Sequence, residues 1–597
     1  MMSRLKFCSR LRFCLTICLV LTASTVHAQD RPNIILIMTD DQGIGDVGVN
    51  GNPFLETPNI DRLSTESTSL ENFYVHPVCT PTRACLMTGR YNYRTRAIDT
   101  YIGRAMMEPE EITIAEILGE AGYQTGIFGK WHLGDCYPMR AIDQGFQSAL
   151  IHRGGGIGQP SDPLAARSKY TDPILFRNGI GESFKGYCTD IYYQAAIDFI
   201  RDSQQAGQPF FVYLPDNTPH GPFGDVPQDL YAYYLAKNID RSAWGTKNPN
   251  QAFKAKDADF LARVYAMIGN VDRNIGKLLD ALETMAIADN TIVIFMCDNG
   301  PNSNRYTMGY RGNKASVYEG GIRSPFWIRW PNQIAAGNSL SDISAHIDIL
   351  PTLLGLAKIS APKDLKLDGV DLSALLLGKP QSTANRNIFI QSHRGNQPRE
   401  FHHMAVRNAK WKLVHHSGFG KEGFNGNPRF ELFDMLSDPK EKKDVAQQYP
   451  DVVNDLKTSY QNWFKDVGST RPDNYSPPRI IIDGRKENPV TLTRQDWRRT
   501  SKQGWGNRGY WRLRLIEPQI LSFHCRLADN RPADEITLYI NDQPIDTITT
   551  DSSRLNGQFK EVRLPPGEYR VSATTEVNEK ADDAYQIEIH AQPNDHP

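Results

Sequence analysis

Short, uninterrupted apolar runs separated by helical patterns constrain this chain most. The runs are Asn33–Met38, Gln124–Phe128, Pro209–Leu214, Thr291–Met296 and Pro325–Trp330. Each is too short for a buried helix and does not alternate polar with apolar residues, so each reads as a strand covered on both faces. Helical periodicity lies between them, at Thr113–Ala121, Ile191–Ser203 and Asp257–Ala286. Strand and helix in alternation predict an α/β sheet with helices on both faces and the strands parallel. In such sheets ligands gather beyond the carboxyl ends of the strands.

The pattern changes after about residue 385. Asn387–Gln391, Met404–Val406 and Trp411–His415 read as short hairpin-like strands, closed by a polar helix over Tyr449–Phe464. Gly468–Arg479 is rich in Pro and polar residues and reads as a linker. Beyond it, Ile536–Asn541, Phe559–Arg563, Tyr569–Ala573 and Tyr585–His590 alternate with almost no helix between them, which predicts an added β-sandwich-like domain. The expected division is 1–28 leader, 29–384 catalytic α/β domain, 385–470 C-terminal subdomain, 471–479 linker and 480–597 accessory β-domain.

The first 28 residues place Arg4, Lys6, Arg10 and Arg12 before an apolar run from Phe13 to Ala23, then Val26-His27-Ala28. That order fits a cleaved secretory signal, and the run falls short of the about 20 residues that span a bilayer. No later run is longer, so no membrane span is expected. The 67 basic and 68 acidic residues nearly balance, and loss of the leader takes four bases and no acid. The exported chain is then mildly acidic, which excludes a basic nucleic-acid surface. Six of the nine cysteines remain, too few for a disulfide scaffold in a chain this long.

Two strand ends carry chemistry. The first run ends in Asp40-Asp41 and the fourth in Cys297-Asp298-Asn299. Adjacent carboxylates repel unless a cation lies between them, and three carboxylates with an amide oxygen suit Ca²⁺ or Mg²⁺ better than Zn²⁺. Gly43-Ile44-Gly45-Asp46-Val47-Gly48 matches a dinucleotide fingerprint, but Asn50-Gly51-Asn52-Pro53 breaks the helix that fingerprint requires. These glycines read instead as a flexible loop beside the metal. Cys79-Thr80-Pro81-Thr82-Arg83, with Thr88-Gly89 following, places a cysteine at a helix start and an arginine one turn on. That electropositive setting predicts an activated nucleophile.

The pattern C-x-P-x-R-x-x-x-x-T-G resembles the signature of the type I sulfatases of the alkaline-phosphatase superfamily. The similarity extends in order through TDDQGIGDVG, GKWHLG, TPHGPF, CDNG and RGNKASVYEGG to ELFDMLSDPKEKKDVA, about residues 30–470. It implies a large mixed sheet with helices on both faces and a smaller α+β C-terminal subdomain. It implies that Cys79 is converted to formylglycine by a formylglycine-generating enzyme, and that the hydrated aldehyde is the nucleophile. Asp40, Asp41, Asp298 and Asn299, with residue 79 itself, would hold Ca²⁺. Arg83 and Lys130 would stabilise residue 79, Lys314 and His220 would meet the sulfate and the ester oxygen, and His132 would accept a proton when sulfate is released.

His152-Arg153 and the three glycines after them lie between two strand–helix units and are expected at a pocket mouth. An exported enzyme with many aromatics and an extra β-domain suits a sulfated glycan, galactose or N-acetylhexosamine type, cut from the chain end. The segments YIGRAMMEPEEITIAEIL and IHRGGGIGQ are similar to those of bacterial carbohydrate sulfatases. The rivals are a phosphate or phosphonate monoester hydrolase of the same superfamily, and an inactive glycan-binding protein.

Overall fold

The computed structural model describes residues 31–166, 169–240, 255–383, 385–470, 475–500, 504–577 and 580–592. The expected leader lies outside them, as do residues 471–474 of the expected linker. Ten strands form the main sheet: β1 (Asn33–Thr39), β2 (Thr68–Tyr74), β3 (Gln124–Lys130), β4 (Ser148–His152), β5 (Ile174–Arg177), β6 (Ile180–Ser183), β7 (Phe210–Pro215), β8 (Thr291–Cys297), β9 (Phe326–Arg329) and β10 (Asn338–Ala345). Their order is β10-β2-β9-β8-β1-β7-β3-β4-β5-β6. The block β8-β1-β7-β3-β4 is parallel throughout.

Strand alternation sends Ile34, Leu36 and Met38 of β1 into one core and Ile35 and Ile37 into another. Helices Cys188–Gln205 and Ala255–Thr284 cover one face, and Cys79–Thr88, Ile114–Glu120 and Ile349–Leu356 cover the other. That two-sided cover is why the central strands lack alternation.

One expectation fails at β9, which pairs antiparallel with both β8 and β2. A parallel return needs a crossover running the length of the strand. Between Cys297 and Phe326 the chain forms a four-residue helix, Glu319–Ile322, and otherwise loops over the sheet's rim.

A second sheet contains Ile388–Gln391, Met404–Arg407, Trp411–His415 and Glu431–Asp434, all antiparallel. Helix Pro450–Gly468 packs on it through Leu456, Tyr460 and Trp463. After residue 479 two further sheets, of seven and four strands, share one core. Ile102, Met106, Cys136 and Met139 from the catalytic part belong to that same core. The described end of the expected linker is a packed strap. Tyr475 is buried, donates to the Tyr93 carbonyl, and lies under the guanidinium groups of Arg96 and Arg104. Composition marked the strap as a linker because its proline and polar residues conceal one anchoring ring. All six described cysteines are buried and unpaired. Among the described residues no helix is long and apolar enough to cross a membrane.

Candidate active site

β1 and β8 are neighbours in register, with Thr39 opposite Cys297, so Asp40-Asp41 and Asp298-Asn299 leave the sheet side by side. The Asp41 amide donates to Asp298 Oδ1 at 3.1 Å, and Asn299 Nδ2 donates to Asp41 Oδ1 at 2.9 Å. Asp41 adopts a positive φ of 63°. Arg305 donates to the Asp41 carbonyl and to Asp46 Oδ2, pinning that turn. Sequence reasoning missed Arg305: it stands in a loop without a motif, and its role depends on the buried Asp46.

Helix Cys79–Thr88 begins at this rim. Cys79 Sγ lies 3.5 Å from Asp40 Oδ1 and 3.5 Å from Lys314 Nζ. Arg83 is fully buried, 2.9 Å from Asp298 Oδ2 and 3.8 Å from Asp40 Oδ2, and donates to the Lys130 carbonyl at 2.8 Å. Lys130, at the end of β3, pairs with Asp40, and Lys314 pairs with Asp41. His220 Nε2 is 3.8 Å from Asp41 Oδ2. Nine of the expected residues therefore converge: Asp40, Asp41, Cys79, Arg83, Lys130, His220, Asp298, Asn299 and Lys314.

His132, two residues past β3 and with φ 59°, bonds through Nε2 to the Thr100 carbonyl at 2.7 Å. A carbonyl only accepts, so Nε2 carries the proton and Nδ1 keeps its lone pair. That Nδ1 is buried and makes no hydrogen bond. Gln495, from the β-domain, donates to the same Thr100 carbonyl at 3.0 Å. Nothing in the sequence linked residue 495 to this site.

His152 and Arg153 are both engaged by other residues of the chain. His152 pairs with Asp162, while Arg153 stacks on Phe176, 3.7 Å from the ring centre, with Glu487 nearby. Both are buried against these protein partners, where the sequence placed them at a pocket mouth. The glycines beside them make the approach instead: a Cβ on Gly155 would stand 2.9 Å from His132 Nε2, and one on Gly156 2.6 Å from His220 Cε1. The Gly43–Gly48 segment is likewise packed: a Cβ on Gly45 would stand 2.2 Å from the Tyr306 carbonyl oxygen. Only a short 3₁₀ turn, Gly48–Asn50, follows, and residues 43–47 are buried, so the segment is no flexible loop.

Charge is arranged unevenly. Burial opposes ionisation of Asp40, but Lys130, His220, Arg83 and Lys314 outweigh it and hold the carboxyl below its ordinary range. Burial, then the Asp40 charge, pushes Asp298 up to about 7. Burial works against the Lys314 ammonium, yet Asp41, Cys79 and Asp40 hold it above its ordinary value. Burial, then Lys130 and Arg83, keeps His132 well below the histidine range. Cys79 contradicts the activated-thiol reading. Burial, then Asp40, pushes it up to about 12, so its protein surroundings leave a neutral thiol. Helix position and Arg83 were visible in sequence, and so was Asp40 as a neighbour of residue 79; its contact with the thiol itself was not.

The oxygen donors fit a hard cation. Asp41 Oδ2 and Asn299 Oδ1 are buried without hydrogen bonds, and Asp40, Asp41 and Cys79 each offer a ligand atom within 4.8 Å of the others.

The family model described as Sulfatase matches residues 32–359. The chain belongs to the sulfatase family. Its reaction is hydrolysis of sulfuric esters. The model described as N-sulphoglucosamine sulphohydrolase, C-terminal, matches residues 310–465. The sulfatase is 32% identical over 392 residues to dog N-acetylgalactosamine-6-sulfatase, covering 60% of this chain and 69% of the relative. It is 29% identical over 507 residues to the N-acetylgalactosamine-6-O-sulfatase of Bacteroides thetaiotaomicron, covering 71% and 92%. A crystal structure of Ps i-CgsB in complex with k-i-k-neocarrahexaose superposes with TM-score 0.62 and 28% identity, covering 74% of this chain and 94% of that one.

Proposed function

We propose that this sulfatase is exported and removes sulfate from galactose- or N-acetylhexosamine-type residues at the ends of sulfated glycans. Residue 79 is formylglycine in the active form, made by a formylglycine-generating enzyme, and Asp40, Asp41, Asp298 and Asn299 hold Ca²⁺, with Mg²⁺ the alternative. One observation carries the reading: Cys79 Sγ stands 3.5 Å from both Asp40 and Lys314, at the start of a helix whose Arg83 reaches Asp298. A neutral, buried thiol in that place gains a use when it is replaced by a better nucleophile. The glycan class draws support from the N-acetylgalactosamine sulfatases and the carrahexaose complex among its relatives.

Formylglycine would supply a hydroxyl nucleophile, and the cation would polarise sulfate oxygens. The chain's own groups do the rest. Lys130, Arg83 and Lys314 present fixed positive charge where charge builds on the transferred group. Lys314 and His220 are the slightly exposed members, with side chains 17% and 15% accessible, so they face incoming substrate. Asp41 keeps Lys314 cationic, which suits it to electrostatic work. His220 donates Nδ1–H to the Gly221 carbonyl at 2.8 Å, leaving Nε2 as its exchangeable position. Burial lowers its pKa against the pull of Asp41 and Asp40, so His220 is the proton-exchanging member of the pair with Lys314, and it acts as general acid for the leaving alkoxide when Nε2 is protonated. His132 Nδ1 is the proton acceptor at residue 79.

A panel of defined sulfated mono- and oligosaccharides, scored for released sulfate, tests the proposal. Release from galactose or N-acetylhexosamine sulfates is expected. Turnover of a small aryl sulfate with no sugar cleaved would overturn the glycan assignment. Faster turnover of aryl phosphate than aryl sulfate would favour the phosphatase rival.

A further inference from the structure

A second cluster of metal-ligating side chains lies beneath the active site. β2 and β10 are parallel neighbours with Tyr74 opposite Ala345, so their chains leave the sheet together. His76 follows one strand and His346 the other, and their rings meet edge to face with centres 4.9 Å apart. Cys85 approaches from helix Cys79–Thr88. One ring nitrogen of each histidine and Cys85 Sγ all lie within 4.8 Å of one another, and all three residues are fully buried.

The hydrogen bonds aim these groups inward. His346 Nδ1 lies 3.0 Å from the Tyr74 carbonyl, which only accepts, so Nδ1 carries the proton and Nε2 keeps a lone pair. His76 Nδ1 faces Ser392 Oγ at 3.2 Å. Both Nε2 atoms are buried and make no hydrogen bond. Metal-binding histidines are oriented in this way, with the outer nitrogen on a carbonyl or hydroxyl and the inner one bare. The two imidazoles do not satisfy each other across the gap. Ligands around a four-coordinate ion with bonds of about 2.0–2.3 Å stand roughly 3.5 Å apart, which the cluster accommodates.

We propose that His76, Cys85 and His346 form a second metal site, for a soft cation of the Zn²⁺ class. Two imidazoles and a thiolate favour such an ion over Ca²⁺, so the two sites select different metals. Binding forms a metal–sulfur bond and releases the Cys85 thiol proton to solvent. Burial favours the neutral thiol, a cost that the cation's charge must offset. Cys85 is six residues from Cys79 on one helix, about 9 Å along its axis. The site would therefore tie the helix bearing residue 79 to the ends of β2 and β10, and its role is to position that helix.

The test uses the full chain with Cys79→Ala, so that no thiolate signal arises at residue 79. Protein from zinc-supplemented medium, treated with a calcium-selective chelator, is analysed for metals, and a cobalt-loaded sample is read for a thiolate-to-cobalt charge-transfer band. About one zinc per chain and a cobalt–thiolate band are expected. Cys85→Ser should lower zinc occupancy about tenfold or more and abolish the band, whereas Asp41→Asn should keep both. Zinc below about a tenth per chain with no cobalt–thiolate band would overturn the site, as would undiminished zinc in a folded Cys85→Ser protein. If Cys85→Ser does not fold, the cobalt spectrum of the Cys79→Ala chain decides alone. Sulfate release by the chain with Cys79 intact is scored separately, so failure of the metal site and failure of the sulfatase assignment remain distinguishable.

Discussion

Replacing Arg83 by Met removes a guanidinium that reaches both strand ends of the acid cluster. Arg83 lies 2.9 Å from Asp298 and 3.8 Å from Asp40, with all three side chains fully buried. With Asp298 fully ionised and an effective dielectric of about 20, the shorter contact would correspond to a Coulomb attraction of about 6 kcal/mol, an upper limit. Desolvation offsets part of that, and stripping one partner from a buried pair costs about 3–5 kcal/mol. Arg83→Met should lose that much stability. Asp298→Asn should lose far less, no more than about 1–2 kcal/mol, because burial and the Asp40 charge already oppose ionisation of Asp298. The double variant should cost no more than Arg83→Met alone, a coupling of about 1–2 kcal/mol or more. The assay is chemical denaturation followed by tryptophan fluorescence, with a calcium chelator present so that no cation holds the carboxylates. Additive losses, or an Asp298→Asn cost equal to that of Arg83→Met, would refute the pairing argument.

Gln495→Ala removes one donor from the Thr100 carbonyl that orients His132, a loss of about 1 kcal/mol; kcat should fall about fivefold with KM unchanged. A rise in KM alone would show that Gln495 touches substrate instead. Because burial depresses His132, it stays neutral as acid passes the ordinary histidine value of 6.5, so the acid limb of kcat should lie below that pH. The unfolded chain takes that proton first, so stability falls as pH drops below 6.5. An acid limb above 6.5 would contradict the assignment. Gly156→Ala places a methyl 2.6 Å from His220 Cε1 and should cut kcat/KM about a hundredfold, whereas Gly224→Ala, with open space around it, should leave it unchanged. Equal effects of the two would count against the glycine run as a wall of the site.

The parts legible in sequence were those where one residue type suffices. β1, β7 and β8 announced themselves because both faces are buried and every position but Asn33 is apolar or small. Asp40-Asp41 and Asp298-Asn299 were legible because polar pairs ending such strands have few other uses. β2, with its mixed TSLENFY pattern, was not, since it carries polar residues at several positions and exposes Glu71. Long-range contacts were also hidden. Arg305 acts through Asp46, Gln495 through Thr100, and Tyr475 through Tyr93, and each pairing is made only by the fold. His152 and Arg153 looked accessible because their loop is polar; Asp162, Phe176 and Glu487 occupy them.

Residue 79 should work only after conversion to formylglycine. Peptide mass spectrometry across residue 79 gives the converted fraction in protein made with and without a formylglycine-generating enzyme, and sulfate release is measured on the same samples. Release should rise in proportion to the converted fraction and vanish in Cys79→Ala. Equal activity from fully unconverted Cys79, or from Cys79→Ala, would contradict it.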